Sequence, residues 1–313
     1  MPVLECDMEQ TLADSIDEEL WFGIDDSEAA DQAAAESLAA SVARITGLKP
    51  FPDVARQLMV VLDSSDWDIR KVAQLMSSDP SLAGLVLRVA NSTFYGGGRK
   101  SGDIREAVMK IGGAKLRELV IGIATLNLLG GRGRKARLVR DHCAATAALA
   151  KIIAGVVGEV PGDLFLAGLL HDAGKILLMD SGDFDYKNDP TSHDENPCSE
   201  NLPPREREAL GFDHAVLGGH VLRAWGIPEP VPRLVAWHHQ PVRAWEEGGQ
   251  VAQQLAILRL ADRLSSTLDE PWDHAMLADT TDAQWAGVER ATLQRMDRML
   301  RAASEEALSI FHV

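Results

Sequence analysis

An all-α fold is predicted by three features of the sequence. Apolar residues recur at spacings of three and four along most of its length, and no stretch sustains the two-residue alternation of a half-buried strand. Ala and Leu, both strong helix formers, are abundant, whereas aromatics make up only 5%. The apolar stripes are joined by short connectors rich in Asp, Pro and Gly, as expected for packed helices.

The elements follow in order. Residues 1–43 read as an acidic tail, with Leu20, Trp21, Phe22 and Ile24 among its carboxylates and a helix over 29–40. From Ile45 the pattern turns helical. A Pro-rich entry, Pro50-Phe51-Pro52, leads into the stripe Val54, Leu58, Val61, Leu62. Ile69, Val72, Ala73 and Met76 form the next. Asp79-Pro80 opens a third helix with a capping carboxylate and Pro in the first turn, and Leu82, Leu85, Val86 and Val89 line it. Gly96–Gly98 and Gly102 mark a loop. Helices over 104–111 and 114–129 are split by Gly112-Gly113. The run 119–129 is too short to span a bilayer and carries Asn127, so it reads as a buried helix.

Arg132, Arg134, Lys135, Arg137 and Arg140 form a basic stretch, read as a solvated linker between a helical half, 44–130, and a second half, 131–313. The second half holds helices over 138–157, 164–179, 206–210, 214–225, 231–239, 251–268 and 283–308. Residues 181–204 read as a long polar loop with six acids and one lysine, a composition that disfavours a polyphosphate ligand.

The net charge of −16 is unevenly placed. Twelve acids and no Lys or Arg lie in 1–43, so the remaining 270 residues carry only −4. That balance excludes strong nonspecific nucleic-acid binding. Cys6, Cys143 and Cys198 are scattered and odd in number, which argues against a disulfide scaffold and for a reducing compartment. With an acidic start and no apolar span, the expectation is a cytoplasmic protein outside the membrane.

The chemistry lies in histidines and aspartates. His142, His171, Asp172 and Asp262 make a mixed nitrogen and oxygen set of four that leaves room for water. His214, His238 and His239 can serve a second ion. Asp172 would bridge the two and help activate a water for in-line displacement at phosphorus. Fe, Mn, Zn and Ni suit such ligands. On a regular helix His171 and Asp172 point about 100° apart. Lys175, four residues after His171, shares its face and can meet a phosphate oxygen. Asp172 and Lys175 are therefore the candidate catalytic residues. His220 lies off the face of His214 and is set aside. His193, His274 and His312 have no supporting neighbours in sequence.

The order His142, His171-Asp172-Ala-Gly-Lys175, His238-His239, Asp262 resembles the HD superfamily of metal-dependent phosphohydrolases. Further segments resemble the HDOD domain, an HD-related output domain of bacterial signalling. They include Leu48-Lys-Pro-Phe-Pro52, Asp79-Pro-Ser-Leu82, Leu87-Arg-Val-Ala-Asn91-Ser92, Phe94-Tyr95-Gly96 and the run from Ile104 to Gly112. The runs from Glu208 to Gly218, Trp225 to Pro228 and His238 to Pro241 belong with them. The resemblance runs from about Ile45 to Leu268. It implies an N-terminal helical bundle packed on an HD-type domain, in a signalling module whose partner is a protein or a nucleotide second messenger. Many HDOD domains have lost the HD ligands, and this sequence keeps them, so one or two divalent ions are implied. His238-His239 is followed by Gln-Pro with no Gly-Tyr-Pro, a departure from the cyclic-di-GMP phosphodiesterases. The alternative activity is a metal-dependent phosphohydrolase acting on a nucleotide or cyclic nucleotide.

Overall fold

Carboxylates placed just before apolar stripes start several of the helices. Asp68 accepts from Arg70 N, Asp79 from Ser81 N and Leu82 N, Asp103 from Glu106 N, and Asp213 from Val216 N. Each satisfies donors that a helix terminus leaves bare, and each contributes about 1 kcal/mol. The computed structural model describes residues 20, 28–64, 66–92, 100–131, 133–158, 160, 163–186 and 202–311. Trp21, Phe22, Ile24, Phe94-Tyr95, Gly96–Gly98, Arg132, His193, His312 and most of the acidic tail and the 181–204 loop lie outside them.

The described residues contain helices and no strand, so the chain is all-α. The helices are α1 (Glu28–Leu48), α2 (Asp53–Leu62), α3 (Ile69–Ser77), α4 (Pro80–Ala90), α5 (Ile104–Ile111), α6 (Gly113–Leu129), α7 (Arg134–Val157), α8 (Leu164–Leu170) and α9 (Ala173–Ser181). They continue as α10 (Leu202–Leu210), α11 (His214–Ala224), α12 (Val231–Trp237), α13 (Val242–Glu247), α14 (Gly249–Ser265), α15 (His274–Ala278), α16 (Thr281–Ala286) and α17 (Arg290–Phe311). None is long and apolar enough to cross a membrane. Helices α2 to α6 pack on one another. Helix α8 lies at the centre of the rest, against α6, α7, α12 and α14, and α17 runs along α7. One continuous set of buried apolar side chains runs from Leu20 to Phe311.

Four readings of the sequence are corrected. The expected helix over 164–179 is broken at His171-Asp172, where Asp172 has φ −99° and ψ 14°. Residues 164–178 are all buried, so no polar face marks the break. The expected helix over 283–308 is divided at Gly287, which adopts φ 73° and closes α16. The basic stretch is not a solvated linker. Helix α7 begins at Arg134, Lys135 Nζ donates to Tyr186 O at 2.5 Å, and Arg140 donates to Gly130 O and Gly131 O. Helix α1 runs eight residues past its expected end at 40, to Leu48, buries Leu38, Ala39 and Ile45, and packs on α11.

Candidate metal centre

Close backbone approaches bring the ligand-bearing helices together. A Cβ on Gly168 of α8 would lie 2.6 Å from Ala147 Cα of α7, and one on Gly174 of α9 only 1.9 Å from His214 O of α11. Only glycine permits such contacts. The first sets His171 beside His142, and the second sets Asp172 beside His214. The chain breaks between α8 and α9 at this pair, and His171 Nε2 and Asp172 Oδ2 lie 3.6 Å apart in a common space.

All seven sequence-derived ligand candidates meet there. Asp172 is the hub, 1% exposed. Its Oδ1 lies 3.2 Å from His214 Nε2 and 3.7 Å from His238 Nε2. Its Oδ2 lies 3.6 Å from His171 Nε2 and 3.9 Å from His142 Nε2. Asp262 Oδ1 is 2.9 Å from His142 Nε2 and 3.7 Å from His171 Nε2, and His239 Nε2 is 3.0 Å from His214 Nε2. Two groups able to hold an ion result: Asp172, His214, His238 and His239, and His142, His171 and Asp172, with Asp262 beside the second. The shared carboxylate joins them.

The rings are aimed by their far nitrogens. His171 Nδ1 donates to Gly168 O at 2.8 Å, and His238 Nδ1 donates to Val235 O at 2.7 Å. His214 Nδ1 is 2.6 Å from Glu206 Oε2, and His142 Nδ1 is 3.1 Å from Ser265 Oγ. With a carbonyl holding each Nδ1 proton, the Nε2 lone pairs of His171 and His238 face the centre, as metal ligands require. His238 Nε2 and Asp172 Oδ1 are buried without a hydrogen bond of good geometry. Orphans of this kind are rare and costly, and an ion would satisfy both.

Burial and charge divide the titrating groups. Burial pushes the His171 imidazole down to about 4 and holds His239 well below its ordinary value. Burial alone would also lower His214, but the Glu206 carboxylate raises it to about 9. Against its own burial, Glu206 is drawn down to about 2, first by His214. Asp172 stays well below the carboxylate range despite burial because the Lys175 ammonium is 2.8 Å from Oδ2.

Lys175 is thus a partner of Asp172, and its buried side chain also reaches a cavity of about 280 Å³ that opens over His239 and Asp262. Two arginines line that cavity. Arg259 is tied to Asp282 at 2.8 Å and to His238 O, whereas Arg263 has no hydrogen-bond or ion-pair partner among the described residues. His220 turns its Nδ1 to Val216 O at 2.9 Å and joins neither group. His274 pairs with Asp297 at 2.8 Å, a neighbour its sequence context did not show. Glu206, Tyr186, Ser265 and Arg263 escaped sequence reasoning. Glu206 sits in the alternating run Arg205-Glu206-Arg207-Glu208, which has the look of a solvated face.

Comparison with known proteins agrees with this architecture. An uncharacterized protein of Treponema pallidum (strain Nichols) is 24% identical over 237 residues, 74% of this chain and 45% of its own length, so this chain spans less than half of that relative. The solved structure of an HDOD domain protein from Geobacter sulfurreducens superposes with a TM-score of 0.70 at 22% identity, over 88% of this chain and 99% of its own. A Shewanella amazonensis SB2B protein described as a candidate phosphohydrolase gives 0.65 at 22% identity, over 87% and 98%. A Marinobacter aquaeolei VT8 protein described as a candidate signal transduction protein gives 0.58 at 19%, over 95% and 68%. At these identities the likeness is one of fold. The HDOD domain family model matches residues 48–241, more than half of the sequence, and with the helical fold and the His-Asp centre already in place, the chain belongs to the HDOD domain family.

Proposed function

We propose that this chain is a bacterial signalling output module whose His/Asp centre holds one or two divalent ions (Fe, Mn, Zn or Ni) and, when loaded, cleaves a phosphoester of a nucleotide or cyclic nucleotide. The observation that carries this reading is the position of Asp172, which turns one oxygen to each of the two histidine groups. Ions so held would polarise a phosphoryl oxygen and activate water. The chain's own residues do the rest. The Nδ1 contacts fix the rings, Lys175 holds Asp172 ionised and oriented, and Arg263 offers an unpaired guanidinium to a phosphate oxygen.

The cavity of about 280 Å³ is small. Pockets that bury a drug-sized ligand run from roughly 300 to 1,000 Å³. The site therefore favours a phosphate with one small substituent inside and any base outside, and disfavours a buried cyclic dinucleotide. Within the module, the tail 1–43 would regulate access. The half 44–130 would present the surface for a signalling partner, which the exposed Val60 and Met109 support, and 131–313 would hold the centre. The module would act in the cytoplasm, a reading supported by the sparse and odd set of cysteines, Cys6, Cys143 and Cys198.

The test uses the full chain, purified anaerobically and loaded with Mn or Fe, and assayed on nucleoside monophosphates, cyclic mononucleotides and cyclic dinucleotides. Bound metal with turnover abolished in Asp172→Ala is the expected result. Turnover untouched by Asp172→Ala would overturn the assignment. One observation favours a second reading, recognition of a protein or nucleotide partner without catalysis: the Lys175 ammonium is already engaged by Asp172 at 2.8 Å. Under that reading metal is bound and none of these phosphoesters is cleaved.

A further inference from the structure

The two halves of the centre are not equivalent. In the group around His142 the polar atoms already satisfy one another. His142 Nε2 is 2.9 Å from Asp262 Oδ1 and 3.2 Å from His171 Nε2, and Lys175 Nζ donates to Asp172 Oδ2 at 2.8 Å. An ion entering there must separate His142 from Asp262 and share Asp172 Oδ2 with an ammonium. The group around His214 is less completely closed: His214 Nε2 faces His239 Nε2 at 3.0 Å and Asp172 Oδ1 at 3.2 Å, but His238 Nε2 has no hydrogen-bond partner. Both orphaned atoms of the centre, Asp172 Oδ1 and His238 Nε2, belong to it. Buried polar atoms left without a good hydrogen bond are unfavourable, and an ion placed here would give both a partner.

A second feature belongs to this half alone. Glu206, 0% exposed, accepts from the Tyr186 hydroxyl at 2.6 Å, from His214 N at 2.8 Å, and faces His214 Nδ1 at 2.6 Å. A carboxylate with three such contacts is fixed. It fixes the His214 ring in turn, with Nδ1 protonated and Nε2 aimed at Asp172. In the other half, the group behind His142 Nδ1 is a neutral hydroxyl, that of Ser265.

We infer that Asp172, His214, His238 and His239 form the higher-affinity ion site, filled before the His142–His171 site, and that Glu206 and Tyr186 are the positioning residues that set its affinity. This rests on the reading of the centre as a metal site and adds an order of filling. Mutation of outer residues of this kind typically weakens metal binding about 10- to 100-fold.

The experiment is a titration of the metal-free full chain with Co(II), followed by calorimetry and by the visible absorption of bound cobalt, with circular dichroism checking the fold of each variant. Two binding events are expected. The tighter one should vanish in His238→Ala and survive in His142→Ala. Glu206→Gln and Tyr186→Phe should weaken the tighter event about 10- to 100-fold and alter its spectrum, while the weaker event keeps its affinity. Tyr186→Phe removes only a hydroxyl, so it serves if a larger change unfolds the chain. A tighter event that survives His238→Ala and is lost in His142→Ala overturns the order of filling. Unchanged affinity in Tyr186→Phe and Glu206→Gln overturns the positioning role. A wild-type chain that binds no Co(II) overturns the metal-centre reading beneath both.

Discussion

Asp172 carries two jobs that a double-mutant cycle can separate. It faces both histidine groups, and it neutralises Lys175, which is only 3% exposed. Asp172→Asn removes the charge 2.8 Å from a buried ammonium. Breaking a buried pair by removing one partner costs about 3–5 kcal/mol. Urea denaturation of the metal-free protein should show a loss of that order, and Lys175→Met added to Asp172→Asn should restore part of it. Metal content should stay low in both, because the bridging carboxylate is gone. Equal stability of Asp172→Asn and its double variant would count against the buried pair. Arg263→Ala tests the other charge at the site. It should weaken binding of inorganic phosphate to the metal-loaded chain about tenfold, as expected for one lost charged contact, without changing metal content. At this scale the sequence displayed the seven His and Asp residues that converge at the candidate centre, because they stand out by type and order along the chain. It concealed the residues behind them. A Glu that props an imidazole has the same letter as a Glu in water, and only the approach of α10 to α11 tells Glu206 from Glu208.

Helices were legible wherever they have a wet face and a capped start. Asp79-Pro80 announced a helix that begins at Pro80, and the pattern over 104–111 matched a helix with those same bounds. Where an element is buried on every side, periodicity says nothing about interruption, so the break at His171-Asp172 was invisible although it falls at two residues of the centre. The glycines flanking that break supply the element-scale prediction. At Gly174 a methyl group would strike the His214 carbonyl, a backbone atom that cannot step aside. Gly174→Ala should push α9 away from α11, destabilise by about 1–3 kcal/mol as overpacking does, and lower metal occupancy with it. Gly84, inside α4, has open space where its Cβ would stand. Gly84→Ala should stabilise by about 0.5–1 kcal/mol through helix propensity. Thermal denaturation of the two variants should move in opposite directions, and a stabilised Gly174→Ala would refute the close approach of α9 and α11.

Across the whole molecule, charge is arranged against burial in one place far from the centre. Glu118 on α6 is raised to about 8, chiefly by burial and then by the neighbouring Asp163 carboxyl. Lys151 on α7 is lowered to about 8 by burial, against the pull of Glu118. Neither shift is apparent in sequence, where both residues look like the polar face of a surface helix. They arise because α8 is drawn between α6 and α7, burying whatever those helices carry at the seam. The sign of the stability effect follows from proton counting. Between about 4.5 and 8 the folded chain keeps a proton on Glu118 that the unfolded chain has lost, so stability contributed by this group falls as pH rises through that window. Between about 8 and 10.5 the unfolded chain keeps a proton on Lys151 that the folded chain has released, so stability recovers as pH rises further. His214, raised to about 9, titrates across part of the same range, so the wild-type profile alone does not isolate the pair. The difference between wild type and Glu118→Gln does, because the centre is common to both. Measured by denaturation with metal removed, that difference should grow in favour of the variant from pH 5 to pH 8. Lys151→Met should instead lose its advantage over wild type between pH 8 and pH 10.5. A flat difference for Glu118→Gln across pH 5 to 8 would show that α8 leaves the seam between α6 and α7 open to water.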